Sequence, residues 1–304
     1  MRVEGFDIDI LVQGFPGKTV CHGGLGWSTV VLLRGKGRVV LIDTGSFGMR
    51  RLIVNQLNRC GLTPADVTDV LLTHAHYDHS INWIMFPNAR IVIGAEELDW
   101  AAAQPIGHLL VPELYIRDLA ISPRLRSVRD GDEVFPGMTA YAAPGHTPGH
   151  LIFFLSTAAR DQAEWEPVSR PDHAPNDKVG AQSDAKPDST FADRAPYRDV
   201  LFTGDAAKNR AELISRSADM TMDERASVAS IARIWELWTR RPDTILVPGH
   251  DVPMVLEGCQ PTYIEARRAG ITAWFDGDLE QTTLFELKAA EPQAESQVAR
   301  RAVG

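Results

Sequence analysis

The sequence has few cysteines, no long apolar run and no excess of positive charge, and each shortage excludes a class of protein. Its three cysteines, Cys21, Cys60 and Cys259, are far apart and form no pair motif. They predict free thiols in a reducing compartment rather than a disulfide framework. No stretch approaches the ~18 consecutive apolar residues of a membrane span, and acids interrupt the N-terminal region where a secretory signal needs an apolar core. We therefore expect a cytoplasmic protein that does not enter a membrane.

The charge balance is acidic. There are 31 Lys and Arg against 40 Asp and Glu, which gives a formal net charge of -9 at pH 7. An acidic field does not attract nucleic acid or an anionic membrane surface, so the expected partner is a small molecule. With 304 residues, of which 44% are hydrophobic, the chain resembles ordinary globular proteins and can bury a sizeable core.

Apolar periodicity and turn signals predict a mixture of strands and helices. Segments 30–33 and 39–42 are apolar and flank a Gly-containing turn, which predicts a β-hairpin. Helical spacing predicts helices near 95–103 and 263–275. A capping-box pattern at 221–224 predicts the start of a long amphipathic helix.

The segment 157–198 differs in composition from the rest of the chain. It is rich in proline and in charges of both signs and poor in aliphatic side chains. Such a segment cannot bury enough apolar surface to offset the entropy of ordering, so we expect a mobile polar insertion. The organisation predicted is one domain over 1–275 that contains this insertion, followed by a polar C-terminal tail at 276–304.

Four side chains that bind metals lie in one short run, directly after the apolar segment 70–72. They are His74, His76, Asp78 and His79. On an extended segment the first two point to the same face and can reach one metal, while the last two follow where the chain leaves the strand and can reach a second. Imidazole and carboxylate ligands suit zinc first, with iron or manganese as alternatives. Burying all four as plain core residues would require a hydrogen-bond partner for each, which is costly.

Three more candidate ligands, His146, Asp205 and His250, share one pattern. Each follows an apolar strand-like segment and has a glycine directly before it. Glycine allows a tight turn and a close approach of the backbone to a metal. Because the pattern occurs three times downstream of the His-rich run, we expect these side chains to complete the same site.

Together these motifs resemble the metallo-β-lactamase superfamily, over roughly residues 20 to 255 and in the family's usual order. The resemblance implies an α/β fold, a four-layer αββα sandwich with the site at one edge of its two sheets. It also implies a ligand set of His74, His76 and His146 for the first metal and Asp78, His79 and His250 for the second, with Asp205 bridging the two.

The chemistry implied by that ligand set is hydrolysis. Two divalent cations ~3.5–4 Å apart polarise a bridging water, which gives a metal-bridging hydroxide at neutral pH. Asp78 is expected to be catalytic, because it can orient the nucleophile and carry a proton to the leaving group. The predicted function is therefore a dinuclear metal-dependent hydrolase.

Within the superfamily, the motifs are most similar to those of the acyl-homoserine lactonases. The His-rich run, Gly-His-Thr-Pro-Gly-His at 145–150 and the final Gly-His-Asp251 all resemble them. Those lactonases carry a tyrosine three residues after the bridging aspartate, whereas this chain has Lys208. A lysine there could donate to a substrate carbonyl oxygen or bind a carboxylate, sulfate or phosphate, or it could be a surface residue without a catalytic part. The expected substrate is a small ester or lactone, with an anionic one as an option.

Several further features have more than one interpretation. Phe47 and Trp83 lie in or beside the expected metal loops and could line an apolar substrate pocket, or could be plain packing. His150 is expected to brace a ligand loop by hydrogen bonding. The alternatives kept for function are a thioesterase of the glyoxalase II kind, for which Arg267 and Arg268 offer a weak analogue of the basic patch, and a non-enzymatic metal-binding relative that binds partners. A homodimer is compatible with the family.

Overall fold

The computed structural model describes residues 2–3, 5–19, 23–156, 199–241, 243–266, 270–273 and 283–286. The chain divides into two units, Met1–Ala266 and Arg267–Gly304. The predicted insertion at 157–198 lies outside the described residues, as do residues 267–268 and most of the predicted tail at 276–304. The insertion and the domain boundary at 275 therefore stay predictions.

The first sheet contains the predicted hairpin and three parallel crossovers. Its strand order is β1 (Arg2–Val3), β2 (Phe6–Val12), β5 (Val30–Gly35), β6 (Arg38–Ile42), β7 (Asp69–Leu71), β8 (Arg90–Gly94) and β9 (Leu125–Val128), with β3 (Lys18–Thr19) and β4 (Gly23–Gly24) forming a separate two-stranded ribbon. Strands β5 and β6 pair antiparallel, which confirms the hairpin. From β6 to β9 every pairing is parallel, so the carboxyl ends of these strands lie at one edge of the sheet.

The second sheet is mainly antiparallel. Its order is β10 (Glu133–Phe135), β11 (Met138–Ala142), β12 (Leu151–Leu155), β13 (Asp199–Gly204), β14 (Thr244–Pro248), β15 (Met254–Glu257) and β16 (Gln260–Tyr263). Within it β13 and β14 are parallel neighbours, with Gly204 opposite Pro248. Their carboxyl ends therefore also meet at one edge.

The described helices are α1 (Arg50–Arg59), α2 (Tyr77–Ser80), α3 (Ala95–Ala102), α4 (Glu113–Ala120), α5 (Arg210–Ser215) and α6 (Glu224–Arg240). The helix predicted near 95–103 is confirmed as α3. Helix α6 is also present, but its N-cap is Asp223, whose side chain accepts the N–H of Ala226 at 2.9 Å, and not Thr221. The helix predicted at 263–275 is wrong: Tyr263 ends β16, and residues 270–273 form β17 (Gly270–Ala273), paired with β18 (Thr283–Glu286) in the second unit.

Three apolar layers separate the helices and sheets of the first unit. Val31 and Leu33 of β5 face Phe153 and Phe202 of the other sheet in the central core. Leu32, between them in sequence, belongs instead to the outer core under α1, α3 and α4. A second outer core lies between the other sheet and helices α5 and α6. Because both faces of each sheet are covered, the strands read as continuous apolar runs, and the predicted four-layer αββα arrangement is confirmed.

Among the described residues, no helix combines the length and the apolar character needed to cross a bilayer.

Candidate metal centre

All seven candidate ligands lie at the edge where strands of the two sheets end. Strand β7 ends at Leu71, so His74 and His76 lie in the loop that follows it and not on an extended strand as predicted. Asp78 and His79 are in the short helix α2. The other three, His146, Asp205 and His250, follow β11, β13 and β14, so the strand-end pattern seen in the sequence matches their positions.

Two groups of three side chains face each other across the site. The first is His74, His76 and His146, and the second is Asp78, His79 and His250; within each, the potential ligand atoms lie within 4.8 Å of one another. Nδ1 of His76 lies 3.0 Å from Nε2 of His146, and the Nε2 atoms of His79 and His250 are 3.3 Å apart. Zinc–nitrogen bonds of about 2.0–2.1 Å at tetrahedral angles space two ligands by about 3.3 Å, which these distances match.

The carboxylate of Asp205 lies between the two groups. Its Oδ2 is 3.2 Å from Nε2 of His146, and its Oδ1 is 3.2 Å from Nε2 of both His79 and His250. The side chain is buried. Each oxygen therefore addresses a different histidine group, which is the arrangement a bridging carboxylate requires.

The protonation of the histidines differs between the two groups. Burial lowers the pKa of His74 well below its usual value and lowers that of His76 to about 4. The first group is thus neutral, and Nε2 of His74 is buried with no hydrogen-bond partner among the described residues. Burial also opposes protonation of His79 and His250, but the nearby carboxylates outweigh it and raise the pKa of both. The carboxylates thus favour positive charge at the second group, and the neutral rings of the first group can ligate, so the donor set fits divalent metal ions.

Asp43 is a site residue that the sequence analysis missed. It follows β6, is buried, and has a positive φ of 56°. Its Oδ2 lies 2.8 Å from Nδ1 of His79, and its Oδ1 accepts the N–H of Thr73 at 2.8 Å. A carboxylate on Nδ1 fixes the ring so that Nε2 points into the site. The available signal was its position, because it too is a polar residue directly after an apolar strand.

Two buried side chains brace the ligand loops. Nε2 of His150 accepts the backbone N–H of Asp205 at 3.0 Å, which agrees with the bracing role predicted for it, and burial lowers its pKa to about 3. Glu97, on α3, accepts the N–H of Ala75 at 2.8 Å and that of Gly149 at 3.1 Å. Through Glu97 the His-rich loop and the His146 loop are held to the same helix.

Two of the glycines before the ligands are needed for close contacts between protein segments. A Cβ at Gly145, whose φ is +131°, would lie 2.3 Å from the backbone nitrogen of Ser227. A Cβ at Gly249 would lie 2.3 Å from Oδ1 of Asp205. Glycine therefore allows the ligand loops to touch their neighbours.

A cavity of about 330 Å³ opens onto the site. The candidate ligands that line it are His76, Asp78, His146, Asp205 and His250; the other lining residues are Pro16, Gly17, Gly26, Tyr77, Leu110, Lys208, Asn209, Glu212, Asp219 and Met220. Its size suits a small molecule. Of the three predicted substrate-binding residues, only Lys208 lines it.

The positions of Trp83 and Phe47 correct the expectation that they line the substrate pocket. Trp83 is 2% exposed, packs in the core beneath the first sheet, and donates its indole N–H to the carbonyl of Tyr115. Phe47 is 57% exposed and stacks against the guanidinium of Arg50. Apolar lining comes instead from Tyr77, Leu110 and Met220, of which Tyr77 stands inside the His-rich run itself.

Comparisons with known proteins agree with this fold. Residues 23–160 match the sequence model of the metallo-beta-lactamase superfamily. The N-acyl homoserine lactonase AiiA of Bacillus thuringiensis subsp. kurstaki is 32% identical over 106 residues, a match that covers 34% of this chain and 39% of the lactonase. The match thus spans well under half the length of that relative.

Two solved structures extend the likeness over most of the chain. An N-acyl homoserine lactone hydrolase, solved with the product N-hexanoyl-L-homoserine at its catalytic metal center, has a TM-score of 0.55 at 20% identity, covering 83% of this chain and 95% of its own. AidC, a dizinc quorum-quenching lactonase, has a TM-score of 0.56 at 16% identity, covering 87% and 93%. At these identities the structural likeness concerns the fold alone.

Proposed function

We propose that this chain, which carries a metallo-β-lactamase superfamily domain and has the fold of that superfamily, is a dinuclear metal-dependent hydrolase that cleaves a small ester or lactone. The observation that carries the proposal is the position of Asp205, whose two oxygens face separate histidine groups at 3.2 Å. A carboxylate placed between two such groups can bind two cations at once, whereas a single cation would need no carboxylate in that position.

The proposed ligands are His74, His76 and His146 for one ion, Asp78, His79 and His250 for the other, and Asp205 for both. Zinc is the first choice for this mixture of imidazole and carboxylate, with iron or manganese as alternatives. Divalent ions held there would supply Lewis-acid polarisation of a carbonyl group and a water acidic enough to act as nucleophile at neutral pH.

The residues of the chain supply positioning and proton transfer. The Asp78 carboxylate lines the cavity, and its Oδ2 lies 3.6 Å from Nε2 of His79 and 3.5 Å from Nε2 of His250. The position of Asp78 in α2 is fixed by Ser28, whose hydroxyl donates to the backbone carbonyl of Asp78. We assign Asp78 the role of orienting the nucleophile and passing a proton to the leaving group. Lys208 is assigned to the substrate carbonyl oxygen.

The substrate class is inferred from the relatives and from the cavity. The Bacillus thuringiensis relative is named an N-acyl homoserine lactonase, and lactone hydrolysis is cleavage of a cyclic ester. This chain has Lys208 where those lactonases carry a tyrosine, so the proposal is the wider class of small esters and lactones. A cytoplasmic location and a homodimer remain predictions.

The test is a substrate screen with metal-reconstituted protein. Chromogenic esters, lactones, thioesters and phosphodiesters are compared at equal concentration, with and without chelator. The proposal expects turnover of esters or lactones above the other classes, lost with chelator and restored by zinc, iron or manganese. A thioester preference would favour the glyoxalase II-like alternative. Full metal occupancy without turnover of any class would favour the non-enzymatic one.

A further inference from the structure

One part of the cavity wall contains a largely buried ion pair. Nζ of Lys208 lies 2.9 Å from Oε1 of Glu212 and donates to the backbone carbonyl of Asp219 at 2.5 Å. The side chains of Lys208 and Glu212 are 13% and 6% exposed. All three residues line the cavity.

Glu212 is held at both oxygens. Its Oε2 accepts the backbone N–H of Lys208 at 2.7 Å, and its Oε1 accepts that of Asp219 at 2.9 Å. The carboxylate thus joins the turn after Asp205 to the loop that precedes α6. Because the backbone fixes it on two sides, it cannot swing away to leave the ammonium group of Lys208 unpaired.

This pairing decides between the two roles that the sequence left open for Lys208. An ammonium group has three N–H donors, and two are already used by Glu212 and Asp219. One donor is enough for a neutral carbonyl oxygen. A substrate carboxylate would instead have to compete with Glu212, and winning would leave a buried carboxylate without its counter-charge.

We propose that Glu212 sets the charge specificity of the site: by neutralising Lys208 it makes this wall select uncharged esters or lactones and disfavour substrates with an anionic group next to Lys208. The inference rests on the proposed function and names the substrate class of that site. Glu212 is a specificity-determining residue that acts through Lys208.

The test compares two esters that share a leaving group, 4-nitrophenyl acetate, which is neutral, and mono-4-nitrophenyl succinate, which is anionic. The metal-loaded wild type should prefer the neutral ester. Glu212→Gln should shift the ratio of kcat/KM values toward the anionic ester by on the order of tenfold, because the charge of Lys208 is then free to contact the anionic group of the substrate. The shift should come mainly from KM, and it should be smaller at high salt. Lys208→Gln should shift the ratio the opposite way, since Glu212 then repels the anion.

The matched control is Glu236→Gln. Glu236 forms the same kind of i,i+4 pair with Arg240, but that pair is exposed on α6. The variant removes the same charge from the protein and should leave the ratio unchanged. An equal shift in Glu236→Gln would mean that total charge, and not Glu212, sets the preference, which would overturn the proposal.

The proposal is also overturned if Glu212→Gln folds, holds wild-type metal and keeps the wild-type ratio. If Glu212→Gln does not fold, Lys208→Gln decides, and an unchanged ratio there overturns it equally. If the wild type cleaves neither ester, the charge claim is tested by binding instead, and the proposed function itself fails only if no ester or lactone of the substrate screen is turned over. Calorimetry then measures the binding of anionic monoethyl succinate and neutral ethyl butyrate to the metal-loaded proteins. The proposal requires Glu212→Gln to bind monoethyl succinate more tightly than the wild type does, and to bind ethyl butyrate equally.

Discussion

The two walls of the cavity are built in different ways. The ligand wall consists of side chains that follow strand ends, such as His146 and His250, and buried hydrogen bonds of Asp43, Glu97 and His150 fix its loops. The other part of the lining, which we call the second wall, consists largely of loop and turn residues, among them Lys208, Leu110 and Met220. The first wall is specified by local sequence patterns that the sheet brings together, whereas the second depends on contacts between distant segments.

The largest expected effect is on the ligand wall, from Asp205→Ala. Removing a carboxylate whose two oxygens face both histidine groups should lower kcat/KM by at least about 1000-fold and weaken metal binding at both positions. Kinetics and metal content after dialysis measure the two losses. Asp9→Ala is the control, because Asp9 pairs with Arg34 on the half-exposed face of β2. Loss of one ion with full retention of the other would contradict a bridging role.

Asp78→Asn should separate chemistry from metal binding. An amide oxygen can still ligate but the group cannot pass a proton, so kcat should fall by about 10²–10³-fold while metal content falls much less. Stopped-flow turnover and metal analysis of the same sample give both quantities. Equal losses of turnover and metal would show that Asp78 acts as a ligand alone.

Asp43→Asn tests whether the residues behind the ligand wall hold it in place. Nδ1 of His79 would lose its carboxylate, and metal affinity should fall by about 10–100-fold. Competition with a chromophoric chelator measures the affinity, and Asp9→Asn is the matched control. Wild-type affinity in Asp43→Asn would remove Asp43 from the site.

Metal affinity should also depend on pH. In the metal-free protein the carboxylates raise the pKa of His79 and of His250 despite burial. The raised pKa values favour the protonated rings, and an incoming cation must displace any proton they hold, so affinity should fall as the pH is lowered, by up to about tenfold per displaced proton for each pH unit. Calorimetry in buffers of different ionisation enthalpy counts the protons released. Release of no protons at pH 7 would contradict this account.

The smallest effect is expected at Phe47, which the sequence placed in the pocket and the structure places outside it. Phe47→Ala should change kcat/KM by less than about threefold, whereas Leu110→Ala, which removes part of the cavity wall, should change KM more. Steady-state kinetics on one ester compares them. A larger effect of Phe47→Ala would mean that the substrate reaches beyond the described cavity.

The difference between the walls explains what the sequence could predict. Four of the candidate ligands were identified from the His-rich run and three from the glycine–ligand pattern at strand ends, while their division between two metals was implied by the resemblance to the metallo-β-lactamase superfamily. Strand ends that meet at one sheet edge bring all seven together. Asp43 was missed although it fits the same pattern, since a single Asp-Thr-Gly after a strand has many ordinary explanations. Trp83 was predicted to line the pocket because it is close in sequence to the His-rich run, but after α2 its side chain points into the core. The Lys208–Glu212 pair could not be predicted from helical spacing, because Lys208 lies before α5 and the extended N-cap residue Asn209 stands between them.

The most direct test of the central claim is anomalous diffraction at the zinc edge from crystals of zinc-loaded protein. The account predicts two peaks per chain, one among His74, His76 and His146 and one among Asp78, His79 and His250, with Asp205 between them. A single peak, or peaks that do not contact these side chains, would contradict it.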